Sequence, residues 1–314
     1  MKIAVIGAGA MGSLFGGKLS SVASVWLIDP WKEHIKAIQR HGLRLIEPEG
    51  EQVIRVKATT DPATVKERVD LALILVKSPH TEAAARTARS LLKEDGLVLT
   101  LQNGLGNLEV IARVVGAERA VQGVTAHGAT LLGPGRVRHA GHGPTHLATR
   151  PEVEERMDQV ADTFRRAGFE THLSADLEGL LWGKLIINVG INALTAILRV
   201  PNGALAEIDE ARALMEEAVE EAVRVARAKG IGLPYDNPQR RVREVCLATA
   251  ENLSSMLQDV LRRRPTEIEV INGAIVREAA RFGIPTPVNR LLVQLVKAIE
   301  ASYKMTNSQI GGER

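Results

Sequence analysis

The hydrophobic and polar positions divide the chain into two halves with different periodicities. In the first half, short apolar runs alternate with amphipathic stretches, as in buried parallel strands that are connected by helices. Strands are predicted at residues 2–6, 24–28, 70–76, 96–101, 120–125 and 169–173, with one or two more within 42–56. Helices are predicted at residues 13–20, 83–92 and 152–167. Short β segments separated by glycine and proline turns predict an antiparallel edge over residues 129–148.

The second half shows helical periodicity and no convincing strand. Helices are predicted at residues 177–198, 204–229, 238–263, 266–280 and 287–304, and residues 306–314 are expected to be a frayed end. A chain of 314 residues is longer than one hydrophobic core usually covers. We therefore expect an α/β domain over residues 1–174 and an all-helical domain over residues 175–314.

The predicted helix at residues 177–198 is apolar on nearly every side, which is typical of a buried helix. Lys184, Asn188 and Asn192 nevertheless follow one another at intervals of four residues and form one narrow polar stripe. In one interpretation the lysine extends to a polar edge and the asparagines bind neighbouring backbone. In the other, the stripe faces a cleft that holds a polar ligand, with Lys184 as proton donor or anion binder.

A glycine motif follows the first strand directly. Gly7, Gly9 and Gly12 have the G-x-G-x-x-G spacing, with Ala10 and Met11 between the last two, and a predicted helix comes next. In this context the glycines permit a tight turn, approach of a pyrophosphate to the backbone, and close packing of helix on strand. The motif predicts a Rossmann-like dinucleotide-binding domain. A glycine-rich turn without a ligand is the alternative.

Asp29 ends the second strand, seventeen residues after Gly12. A carboxylate at this place can bind the adenosine ribose 2′-hydroxyl and repel a 2′-phosphate, which favours NAD over NADP. Alternatively, Asp29 and Pro30 only open a turn or cap the next helix.

Lys77 and Asn103 each follow the carboxyl end of a predicted strand, where open α/β sheets bind their ligands. Both are therefore candidates for the nicotinamide end of a cofactor site. Lys77 could instead be a solvated loop lysine, and Asn103-Gly104 is also ordinary turn chemistry.

In the helical half, Thr266 and Glu269 fit a capping box, which gives Glu269 a structural role. Glu267 has no such role, lies beside apolar positions, and could share a cleft with Lys184 or form a structural ion pair. Asn202 follows a Val-Pro break and could cap a helix or reach the cleft.

Composition excludes several classes of protein. The formal charge is only +3, the basic residues are scattered, and nine aromatic residues are present (three Trp, two Tyr, four Phe), so nucleic-acid binding is not expected. A single cysteine, Cys246, is consistent with a reducing cytoplasm. The first residues lack the features of a signal peptide, and Lys184 interrupts the longest apolar run, so no membrane association is expected.

Four histidines, His127, His139, His142 and His146, lie close together in the sequence. Their spacing resembles that of zinc ligands, but glycines surround them and no cysteine is near. We interpret them as loop histidines and expect no metal.

Several motifs together resemble the ketopantoate reductase (2-dehydropantoate 2-reductase) family over essentially the full chain. The matching segments are G-A-G-A-M-G, V-K-S, L-Q-N-G, W-G-K-L-I-I-N-V-G-I-N, S-S-M-L-Q-D and T-E-I-E-V-I-N-G. The last three are specific, whereas many dehydrogenases share the glycine motif. The resemblance implies a Rossmann domain followed by an all-helical domain, with the active site in the interdomain cleft.

The resemblance also implies roles for individual residues. Lys184 would be the catalytic general acid that protonates the substrate carbonyl, and Glu267 would be the acidic active-site residue. Lys77 would lie on the cofactor side, and Asn103 would orient both cofactor and substrate. The other implied substrate-binding residues are Asn188, Asn192, Asn202 and Ser255, with Ser255 binding the substrate carboxylate.

The expected reaction is NAD(P)H-dependent reduction of 2-dehydropantoate to pantoate, on the route to pantothenate and coenzyme A. Members of the family usually use NADPH and commonly carry an arginine after the second strand, where this chain has Asp29-Pro30. The departure favours NADH slightly, although Lys32 could contact a phosphate. A reductase of another branched 2-oxo acid and a non-catalytic dinucleotide sensor are the alternatives. A homodimer is possible.

Overall fold

The computed structural model describes residues 1–304, so the predicted frayed end at 306–314 lies outside the described residues. The chain divides into two compact units. The first contains Met1–Gln102 and Gly106–Leu177, and the second contains Asn103–Leu105 together with the residues from Glu178 onward. The main division lies close to the boundary expected after residue 174. The expected boundary had assigned Asn103 to the first domain. In the structure, however, Asn103 belongs to the second unit.

The first unit contains twelve strands among the residues described. They are β1 (Lys2–Ile6), β2 (Ser24–Ile28), β3 (Leu43–Glu47), β4 (Gly50–Ile54), β5 (Lys57–Thr59), β6 (Val69–Ile74), β7 (Leu92–Thr100), β8 (Ala120–Thr125), β9 (Gly128–Gly133), β10 (Arg136–Gly141), β11 (Thr145–Ala148) and β12 (Thr171–Ser174). Eight of them form one sheet in the order β12-β11-β8-β7-β6-β1-β2-β5, and the other four form a sheet in the order β4-β3-β10-β9. The run from β8 to β5 is parallel throughout. This is the strand order of a doubly wound dinucleotide-binding fold.

Helices cover both faces of the larger sheet. They are α1 (Ala10–Leu19), α2 (Lys32–His41), α3 (Thr81–Leu91), α4 (Asn107–Val115) and α5 (Glu154–Arg166). Along β1, Ile3 and Val5 pack into a core with α1, α2 and α5, whereas Ala4 and Ile6 pack into a second core with α3 and α4. Alternate residues of one strand therefore enter opposite cores, which explains why the central strands read as unbroken apolar runs.

The antiparallel edge predicted over residues 129–148 is right only in part. β9 and β10 form an antiparallel hairpin, but they belong to the smaller sheet, where β10 runs parallel to β3. Only β11 joins the larger sheet, antiparallel to β8. The pairing of β10 with β3 joins segments about ninety residues apart, and no local pattern indicates it. Helix α4 and the short strand β5 were also not predicted, and α2 was mentioned only as the helix after Asp29-Pro30, without bounds.

Among its described residues the second unit contains helices and the loops between them, and no strand. It contains α6 (Glu178–Leu198), α7 (Ala204–Glu207), α8 (Asp209–Ala228), α9 (Pro238–Ala248), α10 (Ser255–Leu261), α11 (Asn272–Arg281) and α12 (Pro287–Ser302). The first of these, α6, lies in the core, where its apolar side chains pack with those of α8, α9, α10 and α12. Its length and composition would allow it to cross a membrane, but 67% of the most apolar stretch is buried inside the protein. That burial is expected of a core helix.

Three predicted long helices are each interrupted. Ile208 adopts an extended conformation between α7 and α8, and residues 249–254 separate α9 from α10. The helix predicted from residue 266 starts as a single 3-10 turn, Ile268–Val270, and α11 begins only at Asn272 after a break at Ile271. The apolar periodicity continues through these breaks because the helices on both sides contribute to one core.

A chain of buried polar groups links four helices of this unit, α8, α12, α11 and α6. The Glu221 carboxylate on α8 accepts hydrogen bonds from the backbone N–H groups of Val288 and Asn289, both at 2.9 Å, at the start of α12. The Asn289 amide also donates to Glu221 at 2.8 Å, and its oxygen accepts from Asn272 at 3.0 Å. Asn272 in turn donates to the carbonyl of Val189 on α6 at 3.2 Å. Glu221 therefore serves as a buried cap at the positive end of α12.

Candidate active site

The glycine turn after β1 is fixed by its own packing at two of its three glycines. Gly7 has a φ of +95°, and a side chain there would lie 2.7 Å from the backbone of Val76. A Cβ on Gly12 would lie 1.8 Å from the carbonyl oxygen of Gly7, so α1 can pack here only through a glycine. A Cβ on Gly9, by contrast, would meet nothing within 4 Å. Packing does not require a glycine at position 9, and the open space beside it is what a bound pyrophosphate would need.

Helix α1 begins directly after this turn, three residues earlier than predicted. Its first residues, Ala10 and Met11, are partly exposed, and no side chain caps its amino end. Its first turn also contains no acidic residue. The positive end of the helix is thus left to an external anion, and the turn fits the phosphates of a dinucleotide.

The Asp29 carboxylate lies beside the glycine turn at the end of β2. One of its oxygens accepts a hydrogen bond from the Ala8 N–H at 2.8 Å, and the other accepts from the Trp31 N–H at 2.9 Å. Asp29 therefore does open the turn that leads into α2, although Trp31 occupies the cap position of that helix. The bond to Ala8 also places the carboxylate next to the turn, as expected for a group that binds the adenosine ribose. Lys32 begins α2 and is exposed.

Lys77 is half-buried and lies just beyond β6. The segment around it is held by Gln102, a residue to which the sequence patterns assigned no role. Gln102 is buried after β7, and its amide donates to the carbonyl of Val76 at 2.7 Å and to the hydroxyl of Thr81 at 2.9 Å. Its amide oxygen accepts from Thr100 at 2.9 Å. Gln102 thus joins the carboxyl ends of β6 and β7. The only sequence signal for this role is its place in L-Q-N-G, where attention falls on the asparagine.

Three of the predicted site residues come together in the second unit. Lys184 is half-buried on α6, and Glu267 is 6% exposed just before the 3-10 turn. The Asn103 amide donates to a carboxylate oxygen of Glu267 at 3.3 Å. Burial lowers the pKa of Lys184 from 10.5 to about 8, and the negative charge of Glu267 partly opposes this effect. Lys184 and Glu267 are therefore close enough for their charges to interact, as the shared-cleft interpretation expects.

Asn103 is held near Glu267 by a close approach of two backbone segments. The Leu105 N–H donates to the carbonyl of Val270 at 3.0 Å. Gly104 has a φ of +81°, and a Cβ there would lie 2.2 Å from the same carbonyl oxygen. Asn103 and Gly104 therefore form a turn, which was the alternative interpretation of this dipeptide. The same turn places the Asn103 amide next to Glu267.

The capping box predicted at Thr266 and Glu269 is wrong. The Thr266 hydroxyl accepts from the Ile268 N–H at 3.2 Å, but the Thr266 N–H donates to Glu300 and not to Glu269. Glu269 is instead paired at the surface with Arg277 at 3.2 Å and Lys297 at 2.6 Å. Glu269 therefore has a structural role, as expected, but it stabilises the structure through ion pairs. It cannot complete a capping box because no α-helix begins at Thr266; α11 starts only at Asn272, after the break at Ile271.

The remaining polar residues of the stripe stay on one face of α6, because the helix is regular from Glu178 to Leu198. Asn192 is buried, and Asn188 is half-buried one turn closer to Lys184. This placement agrees with the predicted stripe.

Asn202 contacts the region between α9 and α10, and Ser255 lies where that region ends. The Asn202 amide donates to the hydroxyl of Thr249 at 2.9 Å, and its backbone N–H donates to the carbonyl of Asn252 at 3.0 Å. Ser255 is exposed at the first position of α10. The neighbouring Ser254 is the buried cap of α10, and its hydroxyl accepts from the Leu257 N–H at 3.1 Å. Asn202 therefore anchors the chain before α7 to the end of α9, but its side chain does not cap a helix as the sequence alternative proposed, since Gly203 occupies the cap position of α7.

Comparison with known proteins agrees with this architecture. The family model described as ketopantoate reductase PanE/ApbA matches residues 3–152, and the model of its C-terminal part matches residues 176–300. The chain belongs to the ketopantoate reductase family. The two family models correspond to the α/β part and the helical part of the chain, so the predicted fold class is confirmed.

Individual relatives of this ketopantoate reductase family member match it over nearly its full length. A 2-dehydropantoate 2-reductase of Halobacterium salinarum is 41% identical over 300 residues, which are 95% of this chain and 98% of the relative. One from Pyrococcus horikoshii is 39% identical and covers 96% of this chain and 98% of its own length.

Two solved structures of high similarity add to this comparison. A PanE/ApbA family ketopantoate reductase from Ralstonia eutropha has a TM-score of 0.89 at 36% identity and covers 97% of this chain and 100% of its own. A D-mandelate dehydrogenase, solved with NADH and anilino(oxo)acetate, has a TM-score of 0.89 at 33% identity with the same coverage.

Proposed function

We propose that this protein reduces the 2-oxo group of 2-dehydropantoate to the hydroxyl group of pantoate, as a step toward pantothenate and coenzyme A. The observation that carries the proposal is the group formed by Lys184, Glu267 and Asn103, within a chain that matches 2-dehydropantoate 2-reductases over nearly its full length. A dinucleotide sensor would need neither a proton donor nor a buried acid beside it.

In the proposed reaction a hydride adds to the carbonyl carbon and a proton adds to the carbonyl oxygen. The reduced nicotinamide supplies the hydride when it is bound. Lys184 donates the proton from its ammonium group, and its pKa of about 8 leaves it protonated near neutral pH yet able to release the proton readily. Glu267 stabilises the ammonium form of Lys184, and Asn103 holds the Glu267 carboxylate in place.

The substrate-binding residues are proposed from the family motifs together with their positions. Asn188 and Asn192 share the face of α6 that carries Lys184 and would orient the substrate by hydrogen bonds. Ser255 is exposed at the start of α10 and would bind the substrate carboxylate. Asn202 would accept a hydrogen bond from the substrate through its amide oxygen, which has no hydrogen-bond partner among the described residues.

The residues proposed to hold the dinucleotide lie in the first unit, apart from Asn103. The turn that contains Gly7, Gly9 and Gly12 would bind the pyrophosphate together with Ala10 and Met11 at the start of α1. Lys77 would lie on the cofactor side beyond β6. Asn103 would contact the nicotinamide end.

We further propose that NADH is used in preference to NADPH. The Asp29 carboxylate beside the glycine turn would accept a hydrogen bond from the ribose 2′-hydroxyl and repel a 2′-phosphate. The similar D-mandelate dehydrogenase was solved with NADH, which supports this preference. In an Asp29→Asn variant, the ratio of kcat/KM for NADH to that for NADPH should fall about tenfold, since the repulsion is removed. An unchanged ratio would show that Asp29 only forms the turn.

The function is tested by a steady-state assay with 2-dehydropantoate and each dinucleotide. Wild-type protein should turn over with a kcat/KM of about 10⁴ M⁻¹s⁻¹ or more. Lys184→Met should lower kcat by about 10²–10⁴-fold while dinucleotide affinity changes little, and the exposed Lys304→Met serves as the control.

Two other results would overturn the proposal. Turnover of the 2-oxo acid that corresponds to mandelate, but not of 2-dehydropantoate, would show that the substrate is a different 2-oxo acid. Dinucleotide binding without turnover of any 2-oxo acid would favour the sensor.

We also propose a cytoplasmic location, since the only cysteine, Cys246, is buried and unpaired. The homodimer stays a prediction, which light scattering of the purified protein would test.

A further inference from the structure

Three histidines of the first unit meet where the chain passes between its two sheets. His127 lies between β8 of the larger sheet and β9 of the smaller one. His139 is on β10, and His142 lies in the segment that returns to the larger sheet. The Ala126 N–H donates to the carbonyl of Pro144 at 2.9 Å, so the outgoing and returning segments run side by side.

The ring nitrogens of these histidines are close enough to share one ligand. Each histidine offers a nitrogen within 4.8 Å of one from each of the others. The Nδ1 atom of His127 lies 2.9 Å from the Nε2 atom of His139, and the ring centroids of His139 and His142 are 3.7 Å apart. Imidazole nitrogens that each lie about 2.0–2.1 Å from one tetrahedral ion are roughly 3.3 Å apart, so the His127 and His139 rings need to separate by only a few tenths of an ångström to admit an ion.

A carboxylate fixes the orientation of the middle ring. The Nδ1 atom of His139 lies 2.9 Å from an oxygen of Glu47, so Nδ1–H donates to the carboxylate and the Nε2 lone pair faces His127. Metal-bound histidines almost always donate their second N–H to such a group, which makes the ligand more basic. Lys18 lies 2.9 Å from the same Glu47 oxygen and balances its charge.

Burial differs across the cluster in a way that suits an ion arriving from solvent. His139 is 5% exposed, His127 is partly buried against Phe15 and Phe169, and His142 is exposed. Two ligands are therefore held by packing, while the third can close over the ion and leave a coordination position open to water.

We propose that His127, His139 and His142 bind a divalent first-row transition ion through three imidazole nitrogens. Imidazole is a favoured ligand of Zn²⁺, Co²⁺ and Ni²⁺. The bound ion would connect the two segments that cross between the sheets and so stabilise the first unit. The sequence was interpreted as having only loop histidines here because it gives no sign that Glu47 orients His139. The two residues are ninety-two positions apart in the chain.

The test uses full-length protein stripped with a chelator and dialysed. Zn²⁺ binding is measured by calorimetry and Co²⁺ binding by its visible absorption spectrum. We expect one ion per chain, an absorption spectrum typical of nitrogen coordination, and a higher Tm with the ion present. His142→Ala should weaken binding at least tenfold, and Glu47→Gln should weaken it about 10–100-fold by loosening His139.

His172→Ala is the matched control. His172 is exposed on β12 and stacks on His146 at 5.2 Å, so it represents a surface histidine pair in the same unit. This variant should bind like the wild type. The proposal is overturned if the wild type binds no ion at ~100 μM, if His142→Ala binds with unchanged affinity, or if only the His172→Ala variant loses binding.

Discussion

Replacing Lys184 by methionine should make the protein more stable while it lowers kcat by about 10²–10⁴-fold. Methionine keeps much of the shape of the lysine side chain but carries no charge. Burial lowers the pKa of Lys184 from 10.5 to about 8, so the folded protein disfavours the ammonium form, even with the attraction of Glu267 included. With about 1.36 kcal/mol for each pKa unit, holding that charge costs the folded state about 3 kcal/mol at pH 7.

The pH dependence has a definite sign. Below pH 8 the lysine is charged in both states, and the full cost is present. Between pH 8 and 10.5 the unfolded chain binds more protons than the folded one, so the stability of the wild type rises with pH. The advantage of Lys184→Met should therefore fall to about 1.4 kcal/mol near pH 9.5.

Urea denaturation of both proteins, at pH 7 and near pH 9.5, measures this difference. Lys304→Met, which changes an exposed lysine, should give no comparable gain. If Lys184→Met is no more stable than the wild type at pH 7, or if its advantage is equal at both pH values, desolvation of the ammonium is not the dominant effect at this site.

Three further outcomes are expected. Replacing Glu221 by alanine should lower the free energy of unfolding by about 2–4 kcal/mol, as seen in thermal melts, because the buried start of α12 loses its acceptor and the Asn289 amide keeps only its bond to Ala218; a change under 1 kcal/mol would contradict this. Gly9→Ala should leave Tm unchanged but weaken dinucleotide binding in a fluorescence titration, whereas Gly12→Ala should lower Tm sharply; equal effects would refute the packing argument. Ser254→Ala should cost about 1–2 kcal/mol in urea denaturation, since the cap of α10 is lost, and an unchanged midpoint would count against that cap.

Sequence patterns predicted elements well where burial is complete on both faces. The strands at 2–6, 24–28 and 120–125 have the predicted bounds, because unbroken apolar runs end at turn residues. The same logic failed at Ile208, since apolar residues continue on both sides of the break. Periodicity reports which face is buried, and it does not report a change in backbone direction.

In the candidate site, too, some features could be predicted from the sequence and others could not. The family motifs and the single polar stripe indicated Lys184 and Glu267. The partnership of Asn103 with Glu267 joins residues 164 apart in the chain and depends on Gly104 fitting against Val270. The role of Gln102 was missed because an amide in a loop gives no sign of its buried partners.

The polar chain that runs from Glu221 through Asn289 and Asn272 to Val189 has a consequence for how this unit can change during evolution. Helices that touch only through leucine, isoleucine and valine could slide by one turn, about 5.4 Å, with similar contact area. Such a slide would separate the carboxylate and both amides from their partners inside the core, so a single alignment is favoured. Lys184 lies five residues before Val189 on the same helix, so the alignment that fixes Val189 also fixes the position of Lys184 along the helix axis. The aliphatic residues around it can therefore be exchanged for others of similar size while Lys184 keeps its position along the helix axis.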